Sequence, residues 1–112
     1  MDFFTKLDMY IDYNNSYSLN RALTTLKHEF DLAVSKKNTT HAKVVIDTAR
    51  RLHDKLSKTY RESEDRGETM SYFQKTFAKT LRSFMAYLIQ QMKSEFGGSS
   101  TYEQEIEQTI NQ

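Results

Sequence analysis

The 112-residue chain has no cysteine, no proline and no tryptophan, and only three glycines. Each shortage narrows the possibilities. Without cysteine there is no disulfide, no thiolate zinc site and no cysteine nucleophile. Without proline, and with glycine this scarce, little in the chain interrupts a helix. No alternating apolar–polar run reads as a strand. No apolar run approaches the roughly 20 residues that span a bilayer. The opening Met1-Asp2-Phe3-Phe4-Thr5-Lys6-Leu7-Asp8 has acids where a signal peptide needs a basic region followed by an apolar one. A reducing, cytoplasmic setting with no membrane partner is the expectation.

What the chain does have is large apolar residues. Hydrophobic types make up 38%, but seven Phe, seven Tyr and five Met are among them. At this length they suffice for a core without metal or disulfide staples. Their spacing is helical. Met70, Phe73, Phe77, Leu81, Phe84, Leu88 and Met92 recur at three- and four-residue steps, the mark of one helix face. Ala78, Met85, Ile89 and Phe96 widen that face to nearly half the circumference. A helix with so wide an apolar arc needs more than one neighbour to cover it, so residues 70–96 form the expected centre of a bundle.

The preceding segments offer matching faces. Phe3, Phe4, Leu7, Tyr10 and Ile11 predict a short first helix that stops at Asn14-Asn15-Ser16. Leu19, Leu23, Leu26, Phe30 and Ala33 predict a second, with Ser18 as its N-cap and Lys36-Lys37 at its C-terminus. Ala42, Val45, Ile46, Ala49, Leu52, Leu56 and Tyr60 predict a third, capped by Thr39 or Thr40, fraying from Arg61 and ending at Gly67. Ser71-Tyr72-Phe73-Gln74 matches a capping box for the fourth, which stops at Gly97-Gly98. Short connections imply antiparallel neighbours. The fold class expected is all-α: an antiparallel up-down bundle of about four helices over residues 1–98, with a long C-terminal hairpin. An acidic tail follows at 99–112, flexible or a short helix bearing Tyr102, Ile106 and Ile110.

The net charge of +1 hides a segregation. Residues 1–35 carry three bases and five acids, residues 36–82 carry twelve bases and six acids, and residues 94–112 carry four acids and no base. A basic middle between acidic ends implies internal neutralisation or an acidic partner. In the third helix, Lys43–Asp47–Arg51 and Arg50–Asp54–Lys58–Glu62 fall at i,i+4, so its cations are expected to neutralise within the helix. The fourth helix has no acid between Glu68 and Glu95. Its Lys75, Lys79, Arg82 and Lys93 lie within about 60° of one another on the helix wheel, next to Tyr72. Those five residues are the candidate partner-binding surface. Three occupants compete for it: the chain's own acids (Asp2, Asp8 and Asp12, or Glu103, Glu105 and Glu107), an acidic protein, or a nucleic-acid backbone.

Catalytic chemistry is poorly represented. His28, His41 and His53 form no tight ligand pair, so no metal is expected. Neither a Ser-His-Asp set nor paired carboxylates nor a phosphate-cradling glycine loop occurs, so neither enzymatic activity nor a cofactor is expected. One short match carries chemistry. Ala49-Arg50-Arg51-Leu52-His53-Asp54-Lys55-Leu56 resembles the phosphoacceptor box of one class of sensor histidine kinases. The resemblance implies that His53 accepts a phosphoryl group and that Asp54 orients the imidazole and takes its proton. The chain departs from that family in lacking the charged lead-in to the box and in placing Lys58 where Gln is usual, and no ATP-binding domain is expected after it. In layout, Ala33 to Asn38 followed by Ala42, Ala49 and Leu56 looks like the helix-turn-helix of small flagellar and secretion chaperones. The function expected is a small non-enzymatic binding protein acting on another protein or on itself as a homo-oligomer. Nucleic-acid binding through the fourth helix and phosphotransfer at His53 are the alternatives.

Overall fold

The computed structural model describes residues 2–13, 15–67 and 72–97, except for the side chains of Tyr72 and Phe73. Four helices run in chain order: α1 (Phe3–Met9), α2 (Ser16–Ser35), α3 (Thr39–Asp65) and α4 (Tyr72–Phe96). Aspartate or asparagine starts each of the first three. Asp2 accepts from the Thr5 amide, Asn15 from the Tyr17 and Ser18 amides, and Asn38 from the His41 amide. Such side chains satisfy amide donors that have no partner inside the helix. The caps expected at Ser18 and at Thr39 or Thr40 are therefore displaced. With Asn15 in place, the Ser18 hydroxyl accepts instead from the Asp12 amide at 2.8 Å. Ser71 and the tail from 99 onward lie outside the described residues.

The α2–α3 corner is unusually tight. The Asn38 amide donates to the Ala33 carbonyl at 2.8 Å and the Lys37 amide to Val34 at 3.0 Å. This bond pair closes a helix when the residue after the cap is left-handed, and Lys37 takes that role at φ +54°. Asn38 then caps the next helix, so one short turn ends α2 and begins α3.

The fold is an all-α bundle in which α3 packs against each of the other three helices and α2 also packs against α4. The core joins Leu19, Leu26 and Phe30 of α2, Val45, Ile46, Ala49, Leu52 and Leu56 of α3, and Phe77, Leu81, Met85, Leu88, Ile89 and Met92 of α4. These are the positions that the helical spacing marks out. Met70 and the side chain of Phe73 lie outside the described residues.

Helix α1 is held differently. None of its residues is buried. Phe3, Phe4 and Leu7 rest half-buried against the core, and charge fastens the rest. Lys55 of α3 reaches the Asp8 carboxylate at 2.8 and 3.0 Å and sits 4.6 Å from the centre of the Tyr13 ring. Arg51 lies 4.0 Å over the Phe4 ring and 3.4 Å from the Asp2 carboxylate. The Tyr13 hydroxyl donates to Asp8. Burial alone would raise the Asp8 pKa, but the hydrogen bonds from Lys55 and Tyr13, with the charges of Lys55 and Arg51, hold it below the ordinary value. Asp2 is held at about 2, first by its hydrogen bonds with Thr5 and then by Arg51.

Two expectations are corrected here. The i,i+4 pairing of α3 does not describe Arg51 and Lys55, whose ion pairs reach across to α1, and Arg50 pairs with Asp47 at i,i+3. Cross-helix acids compete because they approach from above the helix surface rather than along it. Tyr10 does not share the apolar face of α1: the helix ends at Met9, the turn redirects the chain, and Tyr10 is 83% exposed. Phe3, Phe4 and Phe96, all at element ends, pack half-buried against the core.

Candidate anion-binding groove

The long α3–α4 hairpin leaves a groove beside its core seam. In antiparallel register, α3 contributes His53, Leu56, Ser57, Tyr60 and Arg61, and α4 contributes Lys75, Ala78, Lys79 and Arg82. The groove encloses ≈ 380 Å³. Spacing along each helix explains the set. His53, Ser57 and Arg61 are four residues apart, and Lys75, Ala78, Lys79 and Arg82 fall at steps of three or four, so each group lies on one side of its helix. At 1.5 Å per residue the lining segments run about 12 Å along α3 and about 10 Å along α4.

The lining contains, among the described residues, four permanent cations and no carboxylate. Among the described residues, no carboxylate comes within 4.0 Å of Arg61, Lys75, Lys79 or Arg82. Of the N-terminal acids that were candidates for covering the stripe, Asp2 is engaged on Arg51 and Asp8 on Lys55. Glu103, Glu105 and Glu107 lie outside the described residues. Lys75 sits 5.4 Å from the centre of the Tyr60 ring, a cation–π contact across one end of the groove. The neighbouring Glu64 carboxylate raises the pKa of the Tyr60 hydroxyl.

At the other end lies His53. It is only 7% exposed, and its Nδ1 is buried without a hydrogen-bond partner. Burial, and then the charge of Arg82, lowers its pKa from the ordinary 6.5; Asp54 pulls weakly the other way. The Asp54 carboxylate is 4.0 Å from Nδ1 and its side chain is 57% exposed, so it points to solvent instead of orienting the ring. The resemblance to a phosphoacceptor box asks for a carboxylate bonded to an accessible imidazole, and the geometry here has the two apart.

Of the five stripe residues, the structure gathers Lys75, Lys79 and Arg82 into the groove. Lys93 lies eleven residues beyond Arg82, about 16 Å further along the helix, and does not line it. The Tyr72 side chain is outside the described residues. Arg61, Ser57 and Tyr60 are new members. Reading residues 61–66 as a frayed end hid Arg61, whereas α3 runs on to Asp65 and keeps it in phase with His53. Of the other histidines, His28 is exposed and His41 ties α3 to α2 through Glu29 at 2.9 Å. Among the described residues no group of three or more histidines and carboxylates could hold a metal ion, and no helix is long and apolar enough to cross a membrane.

No protein-family model matches the chain, and no curated protein and no solved structure matches it.

Proposed function

We propose that the protein is a non-enzymatic binding module that acts by protein contact, with the α3–α4 groove receiving an acidic segment of its partner. The observation that carries this reading is the convergence of Arg61, Lys75, Lys79 and Arg82 on one concave, partly apolar surface whose described lining has no carboxylate. Like charges gathered this closely repel one another and destabilise the folded chain, so an anionic partner relieves a cost already built into it. Leu56 and Ala78 give that partner apolar contact between the charges. A protein is favoured over a nucleic acid because, among the described residues, the groove has no free aromatic face for a base. Its one described aromatic ring, Tyr60, already carries Lys75.

The reading is tested by comparing what the wild-type chain and a Lys75→Glu/Lys79→Glu variant capture from a cell lysate at low salt. Both lysines are exposed, so the variant is expected to keep its helicity. A protein retained by the wild type, released by salt and lost with the variant supports the proposal. Equal capture by both chains removes it.

A further inference from the structure

The groove also constrains what kind of acid it takes. Its four cations lie within about 12 Å along the helices, a density that one carboxylate does not match. One carboxylate brings a single negative charge, whereas a phosphate monoester brings nearly two and three strong acceptor oxygens. Two further groups suit it. The Ser57 hydroxyl lines the same wall, between the levels of His53 and Arg61. The imidazole of His53 lines the groove with its side chain only 9% exposed and with Nδ1 unpartnered. A buried polar atom in that state costs stability, and a sequence shaped by stability alone would place leucine or methionine there. From these juxtaposed groups we infer that the α3–α4 groove is a phosphate-monoester site, recognising a phosphorylated side chain on a protein partner through Arg82, Lys79, Lys75 and Arg61, with Ser57 and His53 completing the donor set.

The inference rests on the groove being the binding surface and adds the chemical class of its ligand. The arrangement also separates a monoester from a polyanionic backbone. The cations are gathered in one short groove instead of strung along a helix, and Lys93, the stripe residue that would extend the track along α4, lies about 16 Å beyond Arg82 and outside the lining. A phosphorylated side chain needs one such cluster, and a nucleic-acid backbone needs a succession of them.

The test uses the full chain and two probes. Inorganic phosphate, titrated against chloride at constant ionic strength and followed by amide NMR, is expected to shift resonances near His53, Ser57, Arg61, Lys79 and Arg82. A labelled serine peptide, in phosphorylated, unmodified and glutamate-substituted forms, is then compared by fluorescence anisotropy. The phosphorylated form is expected to bind about tenfold or more tightly than the glutamate form, in keeping with doubly charged against singly charged hydrogen bonding. Arg82→Gln is expected to remove that preference, and Lys79→Gln, at an exposed rim position, gives the same readout should Arg82→Gln disturb the fold. Equal binding of the phosphorylated and glutamate peptides overturns the inference while leaving an acidic partner in place. An oligonucleotide that binds more tightly than either peptide overturns it in favour of a nucleic acid. Failure of all probes removes both this inference and the reading beneath it.

Discussion

His53 offers the sharpest energetic prediction. Its ring is buried and its Nδ1 has no partner, so the native state carries an unsatisfied polar atom worth about 1–3 kcal/mol of lost hydration. In His53→Leu that atom is gone and apolar surface takes its place. Set against this is imperfect packing of a side chain of different shape, up to about 1.5 kcal/mol. The net expectation is a gain of about 1 kcal/mol, or roughly 4 °C in Tm for a chain of this size. The pH dependence sharpens the prediction. Burial and Arg82 lower the folded pKa below the ordinary 6.5, so between that lowered value and 6.5 the unfolded chain binds more protons than the folded one. Stability is therefore lost as pH falls through 6.5, and the loss is complete at the lowered folded pKa. The variant lacks this loss, so its advantage over wild type grows between pH 7.5 and 5.5. Urea unfolding followed by circular dichroism at both pH values measures it. A variant less stable than wild type by about 1 kcal/mol or more at pH 7.5, with no widening gap at pH 5.5, would show that the imidazole is satisfied and would refute the reasoning.

Other sites give equally direct tests. Lys37 holds a left-handed backbone at φ +54°. That conformation costs a residue with a Cβ about 1–2 kcal/mol, offset by glycine's greater entropy loss on folding, so Lys37→Gly should stabilise by roughly 0.5–1 kcal/mol in thermal melts. Asn38→Ala removes the cap of α3 and should cost about 1 kcal/mol in the same assay. Asp8→Asn removes the charge that holds Lys55 at 2.8 Å. Because Lys55 is 45% exposed, screening reduces the loss to about 1 kcal/mol, read as faster hydrogen exchange confined to α1 and the loop after it. Acid should act in the same direction. The Asp8 pKa is lowered from 3.8, so its contribution is intact above 3.8 and is lost as pH falls through the folded value. Leu81→Ala, at a position with no exposure, should cost 2–5 kcal/mol by leaving a cavity between α3 and α4.

The elements and the core were legible because the apolar residues recur at helical spacing and no proline or surplus glycine interrupts them. Leu81, Met85 and Leu88 mark the buried face of α4 as plainly in sequence as in three dimensions. Caps were less legible. Ser18, Thr39 and Asn15 are all competent, and only the path of the chain decides which side chain reaches an open amide. Cross-helix charge was not legible at all. The i,i+4 rule sees one helix, and nothing in it tells that Arg51 and Lys55 turn to Asp2 and Asp8 more than forty residues earlier. The groove lay between these cases. Its α4 half stood out because no acid accompanies the cations. Its α3 half was hidden twice, once by taking His53 as a phosphoacceptor candidate apart from the basic stripe and once by taking Arg61 as part of a frayed end. What joins the halves is the hairpin register, which sets His53 opposite Arg82 and Tyr60 opposite Lys75, and a register between helices has no signature in either helix alone.

The groove as the acid-binding surface is tested most directly by the affinity of a labelled glutamate-rich peptide for matched charge variants of the full chain. Lys79→Glu/Arg82→Glu changes the groove, and Lys36→Glu/Lys58→Glu makes the same change in net charge at exposed positions outside it. Salt-sensitive binding that falls about tenfold or more in the first variant, but stays within about twofold of wild type in the second, is the expected result. An equal fall in both would show that net charge alone attracts the peptide and would contradict a built site between α3 and α4.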